Sequence, residues 1–191
     1  MRRIEMVAYR QEWPGEFFRL AGAIREAVGE EVLRIDHIGS TSVPGLSAKD
    51  VIDIQVTVRD LDDRSVVEAL VGLGYLFKER VMRDLLVGTA KDSRELRKLF
   101  FREKPGERPA NIHIREMGRV NQRYPLLFRD YLRAFAPVRE AYGQVKRELA
   151  QRFPEDEDAY YAIKDPYMDT VYFAAEAWAK DVGWEMDGAF V

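Results

Sequence analysis

The chain has 191 residues, of which 47% are hydrophobic, a content that suits one domain or one compact unit with two parts. It contains no cysteine, which excludes disulfides, thiolate metal ligands and cysteine nucleophiles. Its formal net charge of −3 argues against bulk nucleic-acid binding through a basic surface, although a local basic cleft is compatible with that charge.

The first predicted elements are a helix and two strands. Residues 4–9 are either a short edge strand or an extended arm. A helix is predicted from Pro14 to Gly29, because Pro suits a first helical position and apolar residues recur between them at helical spacing. Strands follow at about 32–39 and 50–58. In the second strand Asp53 and Gln55 alternate with isoleucine and valine, so we expect their side chains to share one face.

The loop between these strands combines small and hydroxyl-bearing residues. It runs from Gly39-Ser40-Thr41-Ser42 into a Val43-Pro44-Gly45 turn. Glycine permits a close backbone approach, and hydroxyl and N–H groups can bind phosphate oxygens. A carboxylate on the adjacent strand can bind a divalent cation. The combination predicts a metal–phosphate site beside Asp53, with a polar loop that Asp53 caps locally as the alternative.

The rest of the chain predicts further strands and then helices. A second helix over 62–73 ends before Gly74, and strands are expected at 75–77, 81–87, 96–102 and 110–115. From Val120 onward the apolar spacing is helical. Asp165-Pro166 predicts a break in the last helical region.

This order of elements predicts an α+β fold with a mixed sheet. We expect a sheet unit over 1–118, a helical cap over 119–180 and a tail over 181–191, all in one compact unit. Trp184 and Phe190 in the tail could pack on the domain, form a dimer contact or remain free.

The spacing between the Gly-Ser pair and Asp53 resembles the signature of the nucleotidyltransferase superfamily. In that signature a Gly-Ser pair precedes a strand with an acidic-apolar-acidic triplet, and here twelve residues lie between Ser40 and Asp53-Ile54-Gln55. More narrowly, HIGSTSVPGLSAK at 37–49 followed by Ile52-Asp53-Ile54 resembles the GrpB family of that superfamily. Over residues 5–175 the resemblance is reinforced by Tyr9 to Pro14, Phe100-Phe101-Arg102, Ile112-His113-Ile114, Phe128 to Arg133, Lys146, Arg152-Phe153-Pro154, Tyr160 and Lys164.

The resemblance implies a nucleotidyltransferase-like mixed β-sheet flanked by helices, with a C-terminal helical cap. It also implies a magnesium-dependent transferase that moves a nucleotidyl group from a nucleoside triphosphate, with ATP as the first candidate, to a small-molecule acceptor. Asp53, Gln55 and His113 are then the candidate catalytic and metal-binding residues, since the GrpB pattern has histidines on the strand that carries the third acid of the superfamily. The candidate phosphate-binding residues are Gly39, Ser40, Thr41, Ser42, Lys49, Arg102, Arg129, Lys146 and Lys164, and the supporting candidates are His37, Tyr131 and Tyr160.

Each of these residues has a structural alternative. His113 could be a hydrogen-bonded structural histidine, and His37 could fasten the loop through a ring hydrogen bond. Any single lysine or arginine could belong to a solvated helix face. Gln55 stands where the superfamily has a second carboxylate, and an amide oxygen binds magnesium more weakly because it lacks charge.

Two other functions are compatible with these residues. One is a module that binds a nucleotide or a phosphorylated metabolite without chemistry, and the other is a different, ligase-like ATP-dependent reaction on the same scaffold. No apolar run is long enough to span a bilayer, and no signal peptide begins the chain, so we expect a cytoplasmic protein without membrane partners. Either a monomer or a homodimer is compatible with the sequence.

Overall fold

The computed structural model describes residues 3–186 of the chain. Its helices are α1 (Trp13–Val28), α2 (Ser65–Gly72), α3 (Val120–Ala134), α4 (Ala136–Arg152) and α5 (Glu157–Val182). Its strands are β1 (Val32–Ile38), β2 (Ile52–Val58), β3 (Leu76–Phe77), β4 (Leu99–Arg102) and β5 (Ala110–Glu116).

The strands form one sheet in the order β1-β2-β5-β4-β3. β2 and β5 are parallel, and the other neighbouring strands are antiparallel. The register places Asp53 beside Asn111 and Gln55 beside His113. The sheet is therefore mixed, and the predicted α+β fold is confirmed.

One face of the sheet packs on α1 and α2. Ile52, Ile54 and Val56 of β2 are buried there with Phe17 of α1 and Leu70 of α2. The alternating residues of β2 point to the opposite face, which α3 covers at the Gln55 end through Gln122. The two faces therefore separate an apolar core from a polar layer.

Helices α3, α4 and α5 share a second core with the loop after β1. Leu127 of α3, Tyr142 of α4 and Ala175 of α5 pack in one buried cluster with Val43 and Leu46 of that loop. Burial of apolar side chains stabilises such a cluster by roughly 1.5–3 kcal/mol for each large residue. The same contacts hold the Gly39–Ser42 segment against the helices.

Residues 81–87 are not a strand. Among the described residues its strand-like pairing is limited to one isolated bridge, between Arg83 and Arg97. Its alternating pattern is interrupted by charged residues, and Leu85 and Val87 are largely exposed. The segment is a loop that forms one wall of the cavity described below.

The predicted break at Asp165-Pro166 is wrong, because α5 runs continuously through Pro166. Proline removes one N–H from a helix. Packing on both sides compensates for that loss, since Tyr160 is buried before the proline and Val171 and Tyr172 are buried after it.

Residues before α1 form an extended arm. Val7 bridges Ala48, and the Ile4 amide donates to the Pro154 carbonyl over 2.7 Å. The arm therefore joins the loop before β2 to the helices.

Part of the predicted tail packs on the helices. The Trp184 indole N–H donates to Asp130 Oδ2 over 3.2 Å, whereas Phe190 lies outside the described residues. The division at 118 and 180 stays a prediction. None of the helices within residues 3–186 is both long and apolar enough to cross a membrane.

Candidate functional site

A cavity of about 850 Å³ lies between the sheet and helices α3 to α5. The extended arm, the loop after β1 and the 81–86 loop complete its walls. It is lined by these candidate residues: Gly39, Ser40, Thr41, Lys49, Asp53, Arg102, His113, Arg129, Lys146, Tyr160 and Lys164. The structure thus brings together predicted phosphate-binding and metal-binding groups that are distant from one another in the sequence.

The Gly39 turn lies directly on Asp53. Gly39 has φ +70°, and a Cβ built on it would lie 2.8 Å from the Asp53 Cβ and even closer to the carboxylate. Ordinary Cβ contacts are longer than 3.0 Å, so only glycine allows this approach. The backbone of the loop and the carboxylate consequently share one edge of the cavity.

Asp53 has two polar neighbours on β5. Asn111 Nδ2 donates to Asp53 Oδ1 over 2.7 Å, and His113 Nε2 lies 3.9 Å from the same oxygen. Burial alone would raise the pKa of Asp53, but His113 and the Asn111 hydrogen bond outweigh burial and hold that pKa below its usual value. Burial lowers the pKa of His113 to about 4, with Arg115 and Lys98 adding to the effect against the opposing influence of Asp53. At neutral pH Asp53 is ionised and the imidazole is neutral.

These groups fit a magnesium ion that is shared with a substrate, not a site closed by protein ligands. Within residues 3–186, no three His, Asp or Glu side chains converge in a way that could hold a metal. Asn111 Oδ1 is buried beside Asp53 without a hydrogen-bond partner. Magnesium usually keeps several waters and takes one or two protein oxygens together with substrate phosphates. Asp53 suits that arrangement, whereas Asn111 turns its Nδ2 toward Asp53 and its Oδ1 is buried.

Gln55 does not reach the cavity. Its side chain is fully buried, its Nε2 donates to the Gln122 carbonyl over 2.9 Å, and its Oε1 accepts from Arg115 Nη1 over 2.7 Å. Both ends of the amide are therefore engaged beneath α3. Of the proposed metal ligands, the structure places Asp53 and His113 at the cavity and Gln55 away from it.

Three other candidates also lie outside the cavity lining. His37 stacks on Phe17 at a ring distance of 4.7 Å and shares a 3.0 Å hydrogen bond with Thr41 Oγ1. Ser42 Oγ donates back to the Gly39 carbonyl over 2.6 Å. Tyr131 packs against Phe135, which follows α3, and against Trp178 of α5 at a ring distance of 5.6 Å. The contacts of His37 and Ser42 fix the shape of the loop.

Lys146 of α4 is the most buried lysine at the cavity, with 3% of its surface exposed. Its Nζ donates to Ser40 Oγ over 2.7 Å and to the Ser47 carbonyl over 2.6 Å. Burial and, to a smaller extent, the charge of Lys164 lower the pKa of Lys146 to about 7 against the opposing influence of Asp53. Neutral oxygens therefore hold an ammonium group that gives up its proton easily.

The other cations differ in how their charge is balanced. Arg102 pairs with Glu103, Arg129 with Asp130, and Lys164 with Asp165. Lys49 Nζ instead donates to the Tyr161 hydroxyl over 2.5 Å and lies above the Tyr160 and Tyr161 rings. Across residues 3–186 neither Lys49 nor Lys146 forms an ion pair, whereas Lys98 and Lys164 do. Two positive charges at the cavity thus have no acidic partner.

The candidate set missed a buried charge network beside His113. Asp84 accepts from Lys98 Nζ over 2.6 Å and from Arg115 Nε over 2.9 Å, and Asn121 Nδ2 donates to it over 3.0 Å. Burial would raise the pKa of Asp84, but Arg115 and Lys98 hold it far below its usual value. Alternation along β5 could have placed Arg115 on the face of His113. Asp84 lies in a loop, and nothing in the local pattern indicates its partners.

The family model and the solved structure that match this chain belong to the same family. The family model described as GrpB protein matches residues 3–173. The chain is similar to a protein named dephospho-CoA kinase in Mycolicibacterium paratuberculosis, with 36% identity over 95% of the chain and 48% of that protein. It is also similar to a UPF0157 protein of Halalkalibacterium halodurans, with 37% identity over 91% of the chain and 83% of that protein.

A solved structure has the same fold. The crystal structure of conserved protein GrpB from Enterococcus faecalis matches with a TM-score of 0.74 and 28% identity, over 91% of this chain and 99% of that one. The chain spans about half the length of the first curated relatives that it matches. The family match over residues 3–173 and the shared fold show that this chain belongs to the GrpB family, which is nucleotidyltransferase-like.

Proposed function

We propose that this chain is a magnesium-dependent transferase that moves a nucleotidyl group from a nucleoside triphosphate, ATP first among them, to a small-molecule acceptor with diphosphate leaving. The observation that carries the proposal is the Gly39-Ser40 turn packed on Asp53 at a cavity edge. That edge places backbone, a hydroxyl and a carboxylate within reach of one phosphate chain.

The charge of the cavity supports a polyanionic ligand. A bound triphosphate carries about four negative charges, which need cations around them. Lys49 and Lys146 offer positive charge that no acid offsets within the described chain. Lys164, Arg102 and Arg129 lie on the same cavity with acidic partners that a phosphate could replace.

Asp53, oriented by the hydrogen bond from Asn111, would hold the magnesium ion, which when bound would neutralise phosphate charge. His113, neutral and within 3.9 Å of Asp53, would bound that position from the β5 side. The rings of Tyr160 and Tyr161 offer flat surfaces on which a base could stack, with Lys49 beside them. These roles leave the cavity between β5, α3 and the 81–86 loop for the acceptor.

Calorimetric titration of a nucleoside triphosphate panel, with and without magnesium, tests the proposal. Wild type should bind a triphosphate in the micromolar range only with magnesium, and Asp53→Asn should lose that binding while keeping its fold. Asp62→Asn is the matched control, because Asp62 is exposed and pairs with Arg97 outside the cavity lining. Equal affinity in wild type and Asp53→Asn would sink the proposal, as would no binding under any condition.

A second candidate is a module that binds a nucleotide without turning it over. The burial of Gln55 favours it, because Asp53 is then left without a second side-chain ligand on β2. Release of diphosphate by wild type and not by Asp53→Asn would exclude this candidate. A ligase-like reaction on the same cavity would be distinguished by the mass of its product.

The proposed function does not rest on the name dephospho-CoA kinase that the mycobacterial relatives carry. Those proteins are about twice as long as this chain. The chain also contains no Gly-Lys pair, so it lacks the Walker A sequence through which many kinases hold phosphates. The cytoplasmic location and the choice between monomer and homodimer stay predictions.

A further inference from the structure

One part of the cavity holds a group of charged side chains that the proposed function leaves unassigned. Asp84, Lys98 and Arg115, here called the Lys98 cluster, all line the cavity. Only 8% of the Lys98 side chain and 6% of the Arg115 side chain are exposed. Two of the three groups are cations and one is an anion, so the cluster carries one net positive charge.

The hydrogen-bond donors of Lys98 are the part of the cluster that can bind a ligand. The Asp84 carboxylate accepts from Lys98 Nζ, from Arg115 Nε and Nη2, and from Asn121 Nδ2. These bonds fill the roughly four acceptor positions of a carboxylate. A lysine ammonium group has three N–H donors, and within residues 3–186 the Asp84 carboxylate accepts only one of those of Lys98. The other donors of Lys98 are left for a ligand.

Acidic side chains on α5 do not pair with Lys98. Asp165 and Asp169 line the same cavity, but Asp165 pairs with Lys164, and Asp169 accepts hydrogen bonds from a backbone amide and a tyrosine hydroxyl. In the described part of the chain, Lys98 forms an ion pair with Asp84 alone. Burial lowers the pKa of Lys98, and the charge and hydrogen bond of Asp84 oppose that change. The net positive charge of the cluster is therefore left for an anionic ligand.

The strand register places the cluster away from the phosphate end of the cavity. Asn111 lies beside Asp53, and Arg115 is four residues further along β5, which corresponds to about 13 Å. Phe100 and His113 are paired between these two positions, with their rings 5.0 Å apart. A ligand that reaches from Asp53 to the cluster therefore spans roughly 13 Å across an aromatic surface.

We propose that Lys98 binds a carboxylate of the acceptor, and that the acceptor is an elongated molecule with a hydroxyl at the Asp53 end and this carboxylate at the Lys98 cluster. The inference rests on the proposed function and names the class of its acceptor. A carboxylate with one negative charge matches the net charge of the cluster, whereas a phosphate monoester carries about two. An apolar linker between the two ends matches the rings of Phe100 and His113.

Hydroxy acids with a terminal hydroxyl test the proposal without the natural acceptor. The nucleotide site is first filled with magnesium and the α,β-methylene analogue of the triphosphate that binds by calorimetry, because this analogue cannot transfer its nucleotidyl group. ω-Hydroxydecanoate, its methyl ester and the shorter ω-hydroxybutanoate are then titrated by calorimetry. Wild type should bind ω-hydroxydecanoate at least about tenfold more tightly than the uncharged ester, and more tightly than the short acid.

Variants separate the charge contact from the fold. Lys98→Met should weaken ω-hydroxydecanoate binding by about 10- to 100-fold, because it removes a hydrogen bond between charged groups, and it should bind the ester as wild type does. Lys98→Arg keeps the cation and should retain most of the acid binding. Lys78→Met is the matched control, because Lys78 is exposed and lies outside the cavity lining. It should bind the acid like wild type, and thermal unfolding of each variant checks the fold.

The outcomes distinguish this inference from the proposed function. Equal affinity of wild type for acid and ester, or no acid binding by protein that binds the nucleotide analogue, overturns the acceptor site and leaves the proposed function. No binding of any triphosphate overturns both. Tighter binding of ω-hydroxydecyl phosphate than of the acid overturns the carboxylate assignment. The comparison of acid and ester needs wild type alone, so it decides the inference even where a Lys98 variant fails to fold.

Discussion

Replacing Gly39 with alanine tests the close contact between the loop after β1 and Asp53. Gly39 has φ +70° and ψ −173°, a region that is essentially restricted to glycine and costs other residues about 1–3 kcal/mol. The added Cβ would also lie 2.8 Å from the Asp53 Cβ, so β1 or β2 must shift. Overpacking of this kind costs about 1–3 kcal/mol. We expect Gly39→Ala to lower the free energy of unfolding by about 2–6 kcal/mol in all.

Gly106→Ala separates the backbone cost of alanine at a positive φ from the steric cost of the contact with Asp53. Gly106 has φ +80°, and a Cβ there would meet nothing within 4 Å, so only the backbone cost applies. Urea unfolding of both variants should show the larger loss for Gly39→Ala, and calorimetry should show lost triphosphate binding for that variant alone. Equal losses of stability would refute the reasoning, because they would mean that the Asp53 contact costs nothing.

Three further predictions concern buried polar groups. Gln55→Glu should destabilise the fold by about 1–3 kcal/mol without strengthening magnesium-dependent binding, because its new carboxylate faces the Gln122 carbonyl; tighter binding by calorimetry would contradict this. Asp84→Ala should cost about 3–5 kcal/mol in urea unfolding, since it leaves Arg115 without a buried carboxylate partner; a loss below about 1 kcal/mol would refute that account. Burial lowers the pKa of His37 from 6.5 to about 4, so the unfolded chain binds more protons over that window. His37 contributes up to about 3 kcal/mol to the free energy of unfolding above pH 6.5, and this contribution is lost as the pH falls toward 4. The free energy of unfolding should therefore change less steeply with pH over this range in His37→Gln than in wild type. The same pH dependence in both proteins would mean that groups other than His37 cause it.

The sheet was largely predictable because its signals are local. Alternation along 52–58 separates buried isoleucines from Asp53 and Gln55. Strand β2 lies within the predicted range 50–58, and β5 extends one residue beyond the predicted range 110–115. Helix signals were equally local, since Pro14 and Gly29 mark the two ends of α1. The 81–87 segment was mispredicted because its weak alternation had no neighbouring strand to pair with beyond the Arg83 bridge.

The state of each polar side chain was not predictable in the same way. Alternation places Asp53 and Gln55 on one face, but only the tertiary position of Gln122 decides that Gln55 is covered. The parallel register of β2 and β5 sets Asn111 beside Asp53, and registry between strands separated by 51 residues of chain leaves no local trace. Lys146 reaches Ser40 only because α4 packs on the loop after β1.

The site lies at one edge of the sheet, where β1 ends and β2 and β5 begin. Gly39 follows β1, while Asp53 and Asn111 are the second residues of their strands, so their polar groups meet at the open edge. Two residues further along β2, α3 closes over the same face, and Gln55 becomes part of the packing. A second carboxylate on β2 would therefore lie beneath α3 and not in the cavity. On this fold the buried positive charge at the Gly-Ser turn comes from the helices, because α4 positions Lys146 there.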